Sequence, residues 1–348
     1  MKAWVLHNIG SIRLEEAKRP EPAEGEVLVK VGAAGICGSD IPRIYQSGAY
    51  FYPLIPGHEF SGTVAETGPG VDSSWGQARV GIYPLIPCRD CLPCRKSQYE
   101  MCRRYSYLGS RRDGGFAQYV SVPADNLLRL PDNVSFEEAA MLEPMAVAVH
   151  AMRRHRPEKT ERVVICGMGT IGSLLLLFLR EAGVEHIFVI GNKDLQRQTA
   201  LQTGLPADCY CDSRTEDTTA WVLDHTDGAG ADHYFECVGK NETIAQAVTL
   251  TAPGGRITLV GNPASDIGLP KDIYWKILRN QLIVSGTWNS SFTHDPSDDW
   301  HYVLQRLAQK KITPAPLISH RFSLDEAETG FLLMRDKKEE YEKIMIGL

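Results

Sequence analysis

The first 145 residues contain short apolar runs separated by glycine, proline and polar residues. Two of these runs, residues 26–31 and 116–122, are rich in valine, leucine and aromatic residues. Runs of this length, bounded by turn-forming residues, are typical of β-strands. The pattern predicts a β-rich segment whose loops carry functional residues.

The pattern changes at Arg162. Residues 163–166 are wholly apolar, a glycine-rich turn follows, and residues 171–182 form a mostly apolar stretch of helical length. Further strand-like runs at 187–190, 233–237 and 256–260 are separated by polar segments of helical length. This alternation predicts a doubly wound parallel α/β sheet.

The tail after the strand-like residues 283–286 contains one predicted helix at about 298–307 and little β–α alternation. The chain has 348 residues, whereas single cores stop growing at roughly 250–300 residues. We therefore predict an α/β two-domain protein. A β-rich catalytic domain covers 1–146 with a small lobe at 86–104, a dinucleotide-binding domain covers 147–284, and 285–348 return to the first domain.

Composition and charge narrow the possible partners. The chain is 43% hydrophobic and 23% charged, with a net charge of -6, so it has no general attraction to nucleic acid or anionic membranes. Its longest apolar run, 174–179, is too short to span a bilayer, and no signal-length apolar region follows Met1. We expect a cytoplasmic protein with a small-molecule substrate.

Four of the nine cysteines crowd into fifteen residues, as Cys88, Cys91, Cys94 and Cys102. Two-residue gaps let consecutive thiolates converge on one tetrahedral ion, and the longer gap lets the chain turn to present the fourth. The spacing predicts a structural zinc site that replaces a core in a lobe too short to have one. One alternative is disulfide pairing, which the compartment and the spacing disfavour. An iron–sulfur cluster is the other alternative.

A glycine-rich turn follows the apolar run 163–166. Gly167, Gly169 and Gly172 form G-x-G-x-x-G with Thr170 and Ile171 between the last two glycines. The motif is weak alone, but here it follows a predicted strand and opens a predicted helix. In that position the glycines permit a tight turn, and the helix N-terminus can hold a pyrophosphate. We predict a dinucleotide site.

The acid that usually binds the ribose 2′-hydroxyl, about twenty residues further on, is missing. The chain has Gly191, Asn192 and Lys193 there. Lys193 and Arg197 could accept a 2′-phosphate, so tolerance of NADP is a hypothesis and the choice between NAD and NADP stays open. Asp194 is an alternative acid, although its position before a helix also suits an N-cap.

Potential ligands of a second metal lie in the β-rich segment. Cys37 stands in the sequence GICGSD, and His58 and Glu59 stand in GHE. Glu143 adds a carboxylate before the predicted domain boundary. A single cysteine or histidine is usually structural. In a chain that also has a nucleotide-binding motif and a four-thiol lobe, however, these residues are a more specific indication of a metal site.

Together these motifs resemble those of the zinc-containing medium-chain dehydrogenases over essentially the whole chain. The matching segments are the GICGSD and GHE motifs, the four-cysteine lobe, Glu143-Pro144, the Gly167 turn and residues 236–239. The resemblance implies a GroES-like catalytic domain, a Rossmann domain, two zinc ions per chain, NAD or NADP, and a homodimer or homotetramer. It further implies an enzyme that interconverts a secondary alcohol and a ketone by hydride transfer.

Within that family, Glu143-Pro144 together with Glu59 is similar to the polyol dehydrogenase branch. The implied ligands of the catalytic zinc are Cys37, His58 and Glu143, or Glu59 in exchange with water. Ser39 resembles the family's proton-relay hydroxyl, and its alternative role is that of a turn serine.

A closer likeness to hexitol-phosphate dehydrogenases covers residues 84–88, 108–116 and 276–279, together with 40–44 and 57–62. It implies a hexitol phosphate such as galactitol 1-phosphate as substrate. A phosphate needs a cation, and the candidates are Arg43, Arg111 and Arg112, with a solvated surface as the alternative for the last two. Trp288 and Asn289 are further candidates for the substrate pocket.

Two other functions remain open at this stage. The first is a dehydrogenase of an unphosphorylated polyol or an amino alcohol, which would share the zinc ligands. The second is a non-catalytic NAD(P)-binding sensor in which both zinc ions are structural. A substrate panel separates the first from a hexitol-phosphate enzyme, and turnover separates the second.

Overall fold

The computed structural model describes residues 1–348 and divides into two compact units. The first unit combines Met1–Ala146 with Ser290–Leu348, and the second is Val147–Asn289. The division at residue 146 falls within the helix Leu142–Arg154. None of the helices is both long and apolar enough to cross a bilayer.

The first unit is mainly β-structure. Its strands are β1 (Lys2–Asn8), β2 (Ser11–Glu16), β3 (Glu26–Ile36), β4 (Glu59–Thr67), β5 (Arg79–Ile82), β6 (Leu85–Ile86), β7 (Ser106–Tyr107), β8 (Tyr119–Pro123) and β9 (Leu127–Arg129). Its helices in this part are α1 (Asp40–Tyr45), α2 (Leu92–Arg95), α3 (Phe136–Ala140) and the start of α4 (Leu142–Arg154).

The long strand β3 organises this unit. It pairs antiparallel with β4 over most of its length, and with β8 near its start. Helix α3 packs on β3 and β4, and the ring of Phe136 leaves no room for a side chain at Gly32. The core is built from alternating buried residues of these strands, such as Val27, Val29 and Val31.

The tail contains more regular structure than the sequence predicted. After α10 (Asp299–Ala308) it forms β16 (Ile318–Ser323), α11 (Ala327–Asp336) and β17 (Lys343–Gly347). β16 and β17 pair in parallel, and β17 joins the far end of β3. The expectation of little β–α alternation was wrong, because β16 mixes polar with apolar residues and β17 is only five residues long. The tail completes the seven-stranded sheet of the first unit.

The second unit alternates strands and helices. Its strands are β10 (Arg162–Cys166), β11 (His186–Gly191), β12 (Tyr210–Asp212), β13 (Ala231–Glu236), β14 (Thr251–Leu259) and β15 (Ile283–Gly286). Its helices, besides the end of α4, are α5 (Thr170–Glu181), α6 (Asp194–Gln202), α7 (Thr218–His225), α8 (Asn241–Leu250) and α9 (Lys271–Arg279).

All six strands are parallel, in the order β12-β11-β10-β13-β14-β15. The order reverses between β10 and β13, which is the switch point of a doubly wound nucleotide-binding sheet. β12 has only three residues and gave no periodic signal in the sequence. β15 spans residue 284, where the sequence analysis ended this domain, and the compact unit continues to Asn289.

Candidate functional site

Three strand ends meet in the first unit and bring distant residues together. Cys37 follows β3, Glu59 begins β4, and Lys343 begins β17. The paired residues that set this register are Gly35 with Glu59 and Ile36 with Ile344. A side chain at position 35 would collide with Glu59 and with Lys343, so a glycine is needed there. Residues more than 300 apart along the chain therefore share one site.

Cys37, His58 and Glu59 form a compact group of ligand atoms. One atom from each residue lies within 4.8 Å of the others. His58 and Glu59 are buried, and Cys37 is half-buried. A thiol, an imidazole and a carboxylate are the donor types that zinc binds, so these residues fit the metal implied by the sequence.

Asp40 lies behind His58 and is fully buried. Its carboxylate accepts hydrogen bonds from the Cys37 amide at 3.0 Å and from Arg43 at 2.7 Å. Nδ1 of His58 is 3.5 Å from Oδ1 of Asp40 and makes no hydrogen bond there. A carboxylate beside one ring nitrogen favours presentation of the other nitrogen to a metal.

The electrostatics of this group favour a bound cation. Burial lowers the pKa of His58, but Asp40 and Cys37 outweigh burial and raise that pKa well above its usual value. The same negative charges act on any cation at this position. The negative charges that favour a proton on His58 therefore also favour a divalent metal ion beside it.

Lys343 is a member of the site that the sequence analysis missed. Its ammonium group pairs with Glu59 and donates to the Ile36 carbonyl at 3.1 Å. The side chains of both residues are almost completely buried, at 1% and 2% exposure. Burial lowers the pKa of Lys343, but Glu59 and Cys37 outweigh it and raise the pKa. No local signal marks this lysine, because its partner lies on another strand.

Glu143 is close to the group but does not belong to its set of converging ligand atoms. Its carboxylate accepts a hydrogen bond from the Tyr107 hydroxyl at 3.1 Å, and the ring of Tyr107 lies 5.7 Å from that of His58. Burial and the charge of Glu59 raise the pKa of Glu143 to about 6. Tyr107, which the sequence analysis also missed, thus holds Glu143 beside the metal ligands.

Ser39 is exposed and points at the group. Its hydroxyl donates to Sγ of Cys37 at 3.3 Å. It precedes α1, but its side chain does not cap that helix. Its contact is with Cys37 and not with the backbone of a turn.

The four cysteines of the lobe converge as a second group. Their sulfur–sulfur distances are 3.4 Å for Cys91–Cys94, 3.9 Å for Cys91–Cys102 and 4.0 Å for Cys88–Cys94. A tetrahedral zinc with bonds of about 2.3 Å holds its sulfurs about 3.8 Å apart. Backbone amides of Arg103 and Cys94 lower the pKa of Cys91 to about 6. The cluster fits a structural zinc site, and all nine cysteines are free of disulfides.

The glycine turn of the second unit has the geometry of a nucleotide-binding turn. Gly167 has φ +98 and lies against Val238. Gly169 faces open space, where a backbone can approach a ligand, whereas Gly172 abuts the Gly167 carbonyl. Helix α5 begins with Thr170 and Ile171, and no side chain caps its N-terminus. These are the three roles that glycines have in dinucleotide-binding turns.

At the end of β11, the carboxylate of Asp194 pairs with Arg214, which also binds Asp212. Asp194 is the first residue of α6, and Lys193 is the residue before the helix. Asn192 donates its amide to Gln196 at 3.2 Å. Arg197 is exposed on α6.

The candidate substrate-binding residues differ in whether their side chains are already paired with a carboxylate. Arg43 pairs with the buried Asp40, and Arg112 pairs with Glu26 at 2.6 Å. Arg111 instead lies between two aromatic rings, 4.4 Å from Tyr50 and 4.3 Å from Tyr105. In the second unit, Trp288 is 56% exposed and Asn289 has φ +52.

Comparison with known proteins identifies the family of the chain. The alcohol dehydrogenase GroES-like domain family matches residues 23–132, and the zinc-binding dehydrogenase family matches residues 170–309. Galactitol 1-phosphate 5-dehydrogenase of Escherichia coli K12 is 33% identical over 326 residues, which cover 93% of this chain and 94% of that protein.

Two solved structures are similar to this chain over nearly its whole length. Galactitol-1-phosphate dehydrogenase from Escherichia coli superposes with a TM-score of 0.92 and 32% identity, over 100% of both chains. A zinc-binding dehydrogenase from Sinorhizobium meliloti 1021, bound to NADP, has a TM-score of 0.90 and 28% identity, over 100% of this chain and 99% of that one. The chain is thus an α/β oxidoreductase with a GroES-like and a Rossmann domain, and it belongs to the zinc-binding alcohol dehydrogenase family.

Proposed function

We propose that this chain transfers a hydride between a secondary hydroxyl of a polyol and NAD(P), with a hexitol phosphate such as galactitol 1-phosphate as the substrate. The observation that carries the proposal is the convergence of Cys37, His58 and Glu59. When bound, zinc supplies a Lewis acid for the substrate hydroxyl, and the nicotinamide supplies the hydride acceptor. Three protein ligands leave one position for an exchangeable group, unlike the closed four-thiol site.

The surrounding side chains keep this ligand set in place. Asp40 is held by Arg43 and by the Cys37 amide, so its carboxylate stays beside Nδ1 of His58. Lys343 compensates the charge of Glu59, which allows a second carboxylate, Glu143, to be buried nearby. We assign Glu59 to the metal and Glu143 to hydrogen bonding with the substrate.

Ser39 is the proposed proton relay. Its hydroxyl is exposed and lies 3.3 Å from Sγ of Cys37. A hydroxyl at this position can accept the proton of the reacting alcohol at its Oγ and release its own to water. Glu143, hydrogen-bonded by Tyr107, offers a carboxylate oxygen to a second hydroxyl of a polyol. A substrate with adjacent hydroxyls suits this arrangement.

The phosphate of the substrate is assigned to Arg111. Similarity to a galactitol 1-phosphate 5-dehydrogenase supports this substrate class. Arg43 and Arg112 are neutralised by carboxylates, whereas the guanidinium of Arg111 contacts two rings, a carbonyl and the Tyr50 hydroxyl. A series of ring contacts, from Arg111 through Tyr105 and Tyr107, leads to His58.

A substrate assay tests this assignment. Galactitol 1-phosphate and galactitol are compared with wild-type protein, Arg111→Ala, and Arg112→Ala as the matched control. We expect Arg111→Ala to lose about 10–100-fold in kcat/KM on the phosphorylated substrate alone, the effect of one charge-assisted phosphate contact. Equal losses on both substrates would remove the phosphate role, and cofactor binding without any turnover would favour a sensor.

An unphosphorylated polyol is the second candidate. It is favoured by the pairing of Arg43 with Asp40 and of Arg112 with Glu26, which leaves few cations for a phosphate. The zinc ligands would be the same in both cases. A higher kcat/KM of the wild-type protein on free polyols than on their phosphates would select this candidate.

The dinucleotide is assigned to the turn formed by Gly167, Gly169 and Gly172. The N-terminus of α5 is suited to the pyrophosphate. Lys193 and Arg197 are the candidate contacts for a 2′-phosphate. Titration with NADH and NADPH, followed by nicotinamide fluorescence, tests the site, and absence of binding by either nucleotide would refute it.

A homodimer or homotetramer is also proposed. Strand β15 ends its sheet and has no partner on its outer side. Large exposed apolar side chains lie on this strand and on the helix that precedes it, namely Ile283 and Val284 on β15 and Tyr274, Trp275 and Leu278 on α9. Open edges and apolar patches of this kind are typical of contact surfaces. Light scattering should give a multiple of the chain mass, reduced by Val284→Glu, and a monomeric wild type would contradict the proposal.

A further inference from the structure

The backbone conformation at position 191 does not require a glycine. Gly191 ends β11 and does not have a positive φ, so a side chain is compatible with its main chain. What prevents one is Tyr210. A Cβ atom at position 191 would lie 2.7 Å from Cζ and 3.1 Å from Cε2 of Tyr210, and closer still to its hydroxyl oxygen. A carboxylate cannot stand at the end of β11 while this ring is in place.

Tyr210 is fixed in that position by packing and by a hydrogen bond. It begins β12 and lies beside Val189 of β11 in the parallel register. Its side chain is buried, and its hydroxyl donates to the Lys193 carbonyl at 3.3 Å. Burial raises the pKa of Tyr210, so the phenol is neutral. A neutral polar group therefore occupies the place where related nucleotide folds have an acid.

Several charged groups lie around Tyr210, and only some of them form ion pairs. Arg214 binds Asp194 and Asp212, and Glu216 accepts the Asp212 amide at 2.6 Å. A cavity of about 470 Å³ is lined by Tyr210, by Arg197, and by Asp208, Asp212 and Glu216 among others. Arg197 is the only lysine or arginine in this lining; it forms no direct ion pair, although its charge acts on Asp212.

We propose that Tyr210 is the specificity-determining residue for the cofactor, because its phenol fills the place of the ribose-binding carboxylate beside Gly191 and so admits the 2′-phosphate of NADP. The inference rests on the proposed dinucleotide site and adds a residue that sets its preference. An acid at this place would bind the ribose 2′-hydroxyl of NAD and repel a phosphate. A neutral hydroxyl does not repel it, and Arg197 is available nearby.

The experiment measures the dissociation constants of NADH and NADPH by nicotinamide fluorescence, without a substrate. The variants are Gly191→Asp, Gly191→Asp with Tyr210→Ala, and Gly191→Asp with Tyr210→Phe. Tyr234→Phe is the matched control, since Tyr234 is a buried tyrosine of the same sheet whose hydroxyl bonds Gln246 instead. Circular dichroism and thermal melting check the fold of each variant.

We expect the wild-type protein and Tyr234→Phe to bind NADPH at least as tightly as NADH. Gly191→Asp alone should weaken the binding of both nucleotides, because its side chain collides with the ring. Adding Tyr210→Ala should restore NADH binding and shift the NADPH-to-NADH preference toward NADH by about tenfold or more, the effect of one hydrogen bond to a charged group. Adding Tyr210→Phe should not restore binding, because Cζ remains.

The inference is overturned if Gly191→Asp alone shifts the preference as far as the Tyr210→Ala double variant, or if wild type strongly prefers NADH. If Gly191→Asp variants do not fold, Tyr210→Glu supplies an acid without a side chain at 191, and an unchanged preference in that variant also overturns it. Wild-type protein that binds neither nucleotide refutes the dinucleotide site itself. That result is distinct from tight binding with an unchanged preference, which removes only the role of Tyr210.

Discussion

Replacing Lys343 by methionine should destabilise the first unit more than any single change of a surface charge. Lys343 and Glu59 form an ion pair at 1% and 2% exposure, and the ammonium also donates to the Ile36 carbonyl. Methionine keeps most of the side-chain volume but leaves Glu59 buried without its partner. The change therefore isolates the charge from the packing.

The size of the effect follows from the burial of the pair. Removing one partner of a buried ion pair costs about 3–5 kcal/mol, because the other charge is left uncompensated. A matched control is Lys2→Met, which breaks a pair with Asp325 at 45% and 55% exposure. Exposed pairs contribute about 0–1 kcal/mol. The double variant Lys343→Met with Glu59→Gln removes both charges and should recover part of the loss.

Urea unfolding after removal of zinc by a chelator measures these differences, because Glu59→Gln takes away an assigned metal ligand and bound zinc would itself compensate the charge of Glu59. Circular dichroism and tryptophan fluorescence should give coincident transitions before a free energy is extracted. The reasoning is refuted if Lys343→Met loses no more stability than Lys2→Met. It is also refuted if the double variant is less stable than Lys343→Met alone.

Three further predictions follow from other parts of the molecule. Cys94→Ser should lose the zinc of the lobe and make residues 86–104 sensitive to proteases; unchanged zinc content would contradict the structural site. Tyr107→Phe should keep both zincs but lower kcat/KM by about 10–100-fold, because a hydrogen bond to the buried Glu143 is lost; wild-type kinetics would exclude this role. Burial, and then the charge of Arg256, lower the pKa of His233 to about 3. Below about pH 6.5 the unfolded chain therefore takes up a proton at His233 that the folded chain does not. The free energy of unfolding decreases as the pH is lowered. Between pH 7 and pH 5 wild type should lose roughly 1–2 kcal/mol more than His233→Gln, and equal urea-unfolding losses in both proteins would contradict this.

The elements that the sequence predicted well are those with local signals. The glycine turn at Gly167, the four thiols of the lobe and the alternation after Arg162 each depend on residues close together in the chain. β12 was missed because three residues, Tyr210–Asp212, are too few to show a period. β16 was missed because polar residues interrupt its apolar positions, and β17 because it is too short to be recognised from its pattern.

The site was predicted less completely, because its geometry depends on pairing between distant strands. Cys37, His58 and Glu59 were identified from motifs, but Lys343 joins them only through the register of β17 on β3. Tyr107 is likewise defined by its contact with Glu143. The partner of Arg112 could not be anticipated, since Glu26 lies on β3, far from Arg112 along the chain. Local sequence patterns indicate which residues have side chains that can bind a metal or a phosphate. Tertiary contacts decide which of those side chains are free to do so.

The zinc content of Cys37→Ser tests the central claim most directly. Elemental analysis of the wild-type protein should give about two zinc ions per chain, one for each ligand group. A folded Cys37→Ser variant should retain only the zinc of the four-thiol lobe, bind NAD(P) normally and have no dehydrogenase activity. A variant that kept both zinc ions and its activity would contradict the assignment of Cys37, His58 and Glu59 as the catalytic metal site.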